Sequence, residues 1–160
     1  MPLRYLGVLL IFLASTVLGF ALAGSEQSKL RNNDGLIALL RHIRQKIGFF
    51  KSTPGEIYAS FENRDLEKAG FCEALRKMGL EEALIRVDCF DLDENCENAL
   101  LGFAGQIGKS PLGEQISGCD YLLELLEANQ KRLCEEYPAK RKVYSSLGML
   151  LGMMAVIMLL

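Results

Sequence analysis

Leu36-Ile37-Ala38-Leu39-Leu40-Arg41-His42-Ile43-Arg44-Gln45-Lys46-Ile47-Gly48-Phe49-Phe50 sets the architecture of this chain. Its apolar residues Leu36, Leu40, Ile43, Ile47 and Phe50 recur at steps of four, three, four and three. That spacing lines one side of an α-helix, and Arg41, Arg44, Gln45 and Lys46 fall on the other. Asn33 or Asp34 can cap its start. Outward from it the same period returns. Thr53-Pro54-Gly55-Glu56 is a capping box with proline at the first helical position, opening a short helix to Phe61. Leu66, Ala69, Phe71, Cys72, Leu75 and Met78 predict a helix from Asp65 to Met78, which Gly79 ends in the left-handed conformation. Leu80 to Val87 reads as one more. Leu100, Leu101, Phe103, Ala104 and Ile107 predict a helix closed by Gly108, and Ser110-Pro111 opens the last one. Along it Ile116, Cys119, Leu122, Leu123, Leu126 and Leu133 form a long apolar stripe until Pro138 interrupts or kinks it. No run of alternating β-branched residues appears. The fold class is therefore all-α, a helical bundle in which Leu36, Leu40, Ile43, Ile47, Phe103, Ile107, Leu122 and Leu126 meet.

Two apolar segments flank this domain, residues 5–23 and 144–160, and neither contains an Asp or Glu. Their 19 and 17 residues approach the ~20 needed to cross the hydrocarbon core as helix. The expected organisation is a transmembrane helix at 5–23, an α-helical domain at 25–143 and a transmembrane helix at 144–160, so that the bundle is tethered at each end. Lys29, Arg31, Arg41, Arg44 and Lys46 follow the first segment, and Lys131, Arg132, Lys140, Arg141 and Lys142 precede the second. Basic residues beside membrane helices favour the cytoplasmic side, which makes the central domain cytoplasmic. The alternative is a signal peptide with Arg4 as its basic region and cleavage after Ala21-Leu22-Ala23, giving a secreted helical domain with a C-terminal membrane anchor and an unknown binding partner. Within the segments, Gly148 and Gly152 form GxxxG, and Ser15, Gly19 and Ala23 form a small-xxx-small series. Small residues on one face let helix backbones approach, so these positions are candidates for packing between the two spans or between copies in a homo-oligomer.

Of the charged residues, 17 basic and 20 acidic lie between the segments, a balance of −3. Nucleic acid is excluded as a partner class, because it would demand a basic stripe. Cys72, Cys89, Cys96, Cys119 and Cys134 are odd in number and form no CxxC pair, so reduced thiols are expected rather than a disulfide framework or a zinc site. Asp91, Asp93 and Glu94 lack the glycine and bidentate glutamate of a calcium loop, leaving Asp88 to Glu97 as a solvated connection. His42 is the sole histidine. There is no phosphate-cradling loop and no HExxH, so a non-catalytic protein without cofactor or metal is expected. Arg41, Arg44 and Lys46 form a basic helix face, a candidate partner surface whose plainer role is to be solvated or drawn to anionic lipid headgroups.

The order of these features resembles the stage III sporulation protein AB family. Ser145 to Gly152 with the apolar end at Leu160 is similar to that family's last span, and Leu6-Gly7-Val8 through Thr16, Gly19 and Phe20 to its first. Leu36, Leu39, Ile43 and Ile47 ahead of Thr53-Pro54 resemble its first soluble helix and turn; Phe103, Ile107-Gly108 and Gln115 resemble a later stretch. The resemblance implies an integral protein of the mother-cell membrane facing the forespore, with membrane lipid, a secretion-type ATPase and channel subunits as partners. It further implies a soluble domain similar to that of the type II secretion platform protein, and hence a platform component of the channel linking mother cell and forespore.

Overall fold

The computed structural model describes residues 2–50 and 52–159; the side chains of 2–13, 15, 16, 18–20, 22, 23, 49, 50, 141, 145, 148, 151, 152, 155, 156, 158 and 159 fall outside the description. Among the described residues seven α-helices run in chain order: α1 (Pro2–Gln45), α2 (Pro54–Ala59), α3 (Arg64–Lys68), α4 (Phe71–Met78), α5 (Leu80–Arg86), α6 (Glu94–Gln106) and α7 (Leu112–Leu159). A π-helical turn, Lys46–Phe50, follows α1. No strand occurs among the described residues, and the fold is all-helical. Residues 1–28 and 133–160 form one compact unit and residues 29–132 a second, the helical domain. Among the described residues no helix is long and apolar enough to cross a membrane. The spans expected at 5–23 and 144–160 lie for the most part outside the described side chains.

The apolar stripes converge in the helical domain as their spacing predicts. Leu36, Leu40 and Ile43 are fully buried, Ile47, Ile107, Leu122 and Leu126 nearly so, and half-buried Phe103 packs against them. The core also takes residues outside those stripes, Ile57, Leu66, Phe71 and Leu80 among them. Two glycines permit close approaches between helices. A Cβ on Gly35 would meet Leu66 Cγ at 2.8 Å, where α3 rests on α1, and one on Gly118 would meet the Phe103 ring at 3.0 Å, where α6 rests on α7. Gly102, one residue before Phe103, has open space around it.

Local boundaries depart from the periodicity at four places. First, α1 does not start at Asn33 or Asp34 but runs through them, because Asn33 is buried with its amide engaged elsewhere. Second, the stretch from Asp65 to Met78 is two helices. Asn63 caps α3 by accepting from the Asp65 and Leu66 N–H groups at 3.1 Å. Gly70 then adopts φ +78, which no regular helix tolerates, and α4 restarts at Phe71. Third, Gly79 does end α4, but with φ +86 and ψ 178 rather than the left-handed helical geometry. That region is essentially glycine-only. Fourth, α6 begins at Glu94, earlier than its apolar residues indicate, because Asp93 accepts from the Cys96 N–H at 2.8 Å. That bond holds the Asp93 carboxyl below its usual range. The capping box ahead of α2 stands as read, with the Thr53 N–H donating to Glu56 Oε2 at 3.0 Å. Helix α7 continues through Pro138.

Candidate interaction surfaces

The basic face of α1 is turned toward acids of α7. Arg41 Nη2 donates to Glu127 Oε1 at 2.5 Å, and Arg44 forks onto both carboxylate oxygens of Asp120, at 3.1 Å for Nη2. Such a fork fixes direction as well as charge. Asp120 also pushes the Arg44 guanidinium further toward its charged form, by hydrogen bonding first and charge second. Lys46 lies near enough to His42 to disfavour its protonation. The His42 pKa is lowered, chiefly by burial and also by Lys46, against an opposing bond to the Ile57 backbone. Its Nε2 sits 3.0 Å from Ser60 Oγ, and its ring packs 5.5 Å from that of Phe61. A basin of ≈ 460 Å³ opens between Arg41, His42, Gln45, Ser60 and Glu62. The expected partner surface is thus partly engaged inside the domain: two of its three cations are matched by carboxylates of α7. Charge patterning along one helix could not show this, because the partners lie 76 and 86 residues away.

Three buried amides hold the connection between α5 and α6, and a fourth, Gln130, ties α7 to α1. Asn33 donates to the Asp91 carbonyl at 2.8 Å and accepts from the Asp91 N–H at 3.2 Å, a strand-like two-way grip from a helical side chain. Asn129 donates to the same carbonyl at 3.0 Å, and Asn32 to that of Cys89 at 2.9 Å. Gln130 donates to Leu30 O and to Asp34 Oδ1. Far from being a solvated connection, Val87–Leu92 is half-buried or pinned along most of its length, with only Asp88 exposed. Asn32, Asn129 and Gln130 carry no period of their own, and Asn33 reads equally well as a cap, so periodicity does not predict this role. The doublets Asn32-Asn33 and Asn129-Gln130, sitting amid apolar stripes, were the available signal.

All five cysteines are free. Burial pushes Cys89 up to about 11 and Cys96 and Cys119 up to about 12, with Asp88, Asp93 and Asp120 respectively adding to the shift, and burial also raises Cys72. A thiol so placed is neither nucleophile nor good metal ligand at neutral pH. These raised values also make stability alkaline-sensitive. In the unfolded chain the thiols ionise near 9, whereas the folded domain keeps them protonated until about 11 to 12. Stability is therefore fully present below pH 9 and falls as pH rises through that window. Urea unfolding at pH 8 and pH 10 should show a lower midpoint at pH 10. An unchanged midpoint in the Cys89→Ala/Cys96→Ala/Cys119→Ala variant would assign the loss to these groups.

Several residues on which the resemblance rested meet in space. A Cβ on Gly108, at φ +77, would lie 2.9 Å from Pro54 Cγ. Gln115 accepts from the Gly108 N–H and donates to the Ser110 carbonyl at 2.6 Å, stapling the turn between α6 and α7. Ile47 and Ile107 both enter the core. Thr53-Pro54, Ile107-Gly108 and Gln115 thus define a structural junction. Ser15, Gly19, Gly148 and Gly152, expected to pack spans together, lie outside the described side chains. No group of three or more His, Cys, Asp or Glu side chains suited to a metal ion occurs among the described residues.

These features define a class: a small all-helical domain whose histidine, four of the five cysteines and buried amides are packed within its own scaffold. The family model for stage III sporulation protein AB matches residues 4–160, essentially the whole chain, and the chain belongs to that family. Its role is accordingly related to sporulation. No curated protein and no solved structure matches it.

Proposed function

We propose that this protein is a non-catalytic membrane platform component of the mother cell to forespore channel, with its helical domain in the cytoplasm docking a secretion-type ATPase. Family membership over residues 4–160 carries the reading. The sequence supports it with two carboxylate-free apolar ends and basic residues at their inner flanks. Thiols held protonated by burial fit both a reducing compartment and a scaffold role.

The deciding experiment is recovery of partners by the full-length chain, solubilised in mild detergent from sporulating cells. The ATPase and channel subunits should co-purify with it. Recovery of neither would end the platform reading. A charge reversal of Arg41 and Arg44 is a poor probe on its own, since it would set Glu against Glu127 and Asp120 and break the pairing of α1 with α7. Pairing each reversal with Glu127→Arg and Asp120→Arg restores that match, and loss of ATPase recovery in the compensated variant would then report on the surface itself. Orientation is tested separately: an impermeant thiol reagent applied to intact cells should leave exposed Cys134 unlabelled.

A further inference from the structure

A groove of ≈ 430 Å³ runs between α5, the connection after it and the first turns of α6. Leu84, Ile85, Phe90, Leu92, Leu100 and Leu101 supply its apolar lining. Ile85 is 71 % exposed, more than any other large apolar side chain described in the helical domain. Its polar lining is of one sign: Asp88, Asp91 and Glu97 line it, and no lysine or arginine does. None of these three carboxylates is in an ion pair among the described residues, whereas Asp93 nearby is matched by Arg132 and Asp120 and Glu127 by arginines of α1. Three unmatched carboxylates beside an apolar wall present a potential that a cationic partner complements and an anionic lipid surface does not.

The groove is also held in shape. Phe90 meets Phe71 edge to face, with centroids 5.0 Å apart at 83°, and Phe71 is fully buried. The backbone on either side of Phe90 is fixed by the amides of Asn32, Asn33 and Asn129. A surface already ordered loses little entropy on binding, which favours a specific contact over chance exposure.

We propose that this groove receives a basic amphipathic helix of a protein partner, its apolar residues seated against Ile85, Phe90 and Leu101 and its lysines or arginines against Asp88, Asp91 and Glu97. An apolar face laid into a groove with cations at its border is a recurring mode of helix recognition. The proposal rests on the reading of the domain as a partner-binding platform and adds the surface and the chemistry of the partner.

Site-specific photo-crosslinking tests it. Full-length chain carrying p-benzoylphenylalanine at position 85, or at exposed position 124 of α7 as control, is irradiated in sporulating cells and the adducts are mapped by mass spectrometry. Position 85 should give a protein adduct at least roughly tenfold above position 124, on a peptide with Lys or Arg at helical spacing beside apolar residues. Asp88→Lys/Glu97→Lys should lower that adduct by about tenfold, with helicity and thermal midpoint retained because both side chains are exposed. Equal yields at 85 and 124, an adduct with lipid or with a second copy of this chain, a peptide without basic residues, or indifference to the double reversal would each overturn the proposal. If the ATPase co-purifies with the wild-type chain while position 85 yields no adduct, the groove assignment falls and the platform reading stands.

Discussion

Phe71→Ala should lower the stability of the helical domain by about 3–5 kcal/mol, the range for removing a buried aromatic ring. Phe71 is fully buried at the start of α4, just after the positive-φ Gly70, and Phe90 stands edge-on against it. The α4 backbone cannot shift easily to refill the void, because Gly70 and Gly79 fix both of its ends in conformations open to few other residues. The loss is a large share of the ~5–15 kcal/mol that separates most folded domains from their unfolded chains. Urea denaturation of the full-length protein in detergent, followed by circular dichroism, measures it. A change below about 1 kcal/mol would mean that Phe71 is not packed as described. Because Phe90 lines the acidic groove, the same substitution should also weaken crosslinking from position 85.

Gly108→Ala should cost about 2–5 kcal/mol, the sum of two penalties that glycine avoids. A side chain at φ +77 adds about 1–2 kcal/mol of backbone strain. The new Cβ would press within 2.9 Å of Pro54 Cγ, part of a ring that cannot rotate away, at a further ~1–3 kcal/mol. Gly55→Ala, with nothing within 4 Å of its Cβ position, is the matched control and should change stability little. Equal effects at the two positions would refute the close approach of Pro54 to Gly108. This junction explains why the family resemblance was readable there. The turn needs a glycine, a proline and Gln115 at fixed offsets, so its geometry is written in residue types.

How far the chain's structure was legible varied by kind of interaction. Core positions were read correctly because burial on a helix obeys a period, and Leu36, Leu40, Ile43, Leu122 and Leu126 keep it without exception. Turn and cap residues were read where one residue type is nearly obligatory, as at Thr53-Pro54, Gly79 and Gly108. Gly70 was missed because a glycine inside an apolar period is also compatible with an unbroken helix at a modest cost. Asn33 was misread as a cap because its side chain satisfies backbone groups equally well at a helix start or, as here, 58 residues away.

By itself the sequence determined the all-helical class, most helix positions, the stripes that form the core, the two apolar ends and membership of the sporulation family. These follow from local spacing and residue type, which act over a few residues. Only the tertiary structure decided that Arg41 and Arg44 face Glu127 and Asp120, that Asn32, Asn33 and Asn129 pin the connection after α5, and that Ile85 stands beside three unmatched carboxylates. The first two depend on which residues meet across 38 to 86 positions of chain, the third on how the connection after α5 folds back on itself, and no periodicity encodes either; both are set by how the helices pack once their apolar faces are buried together.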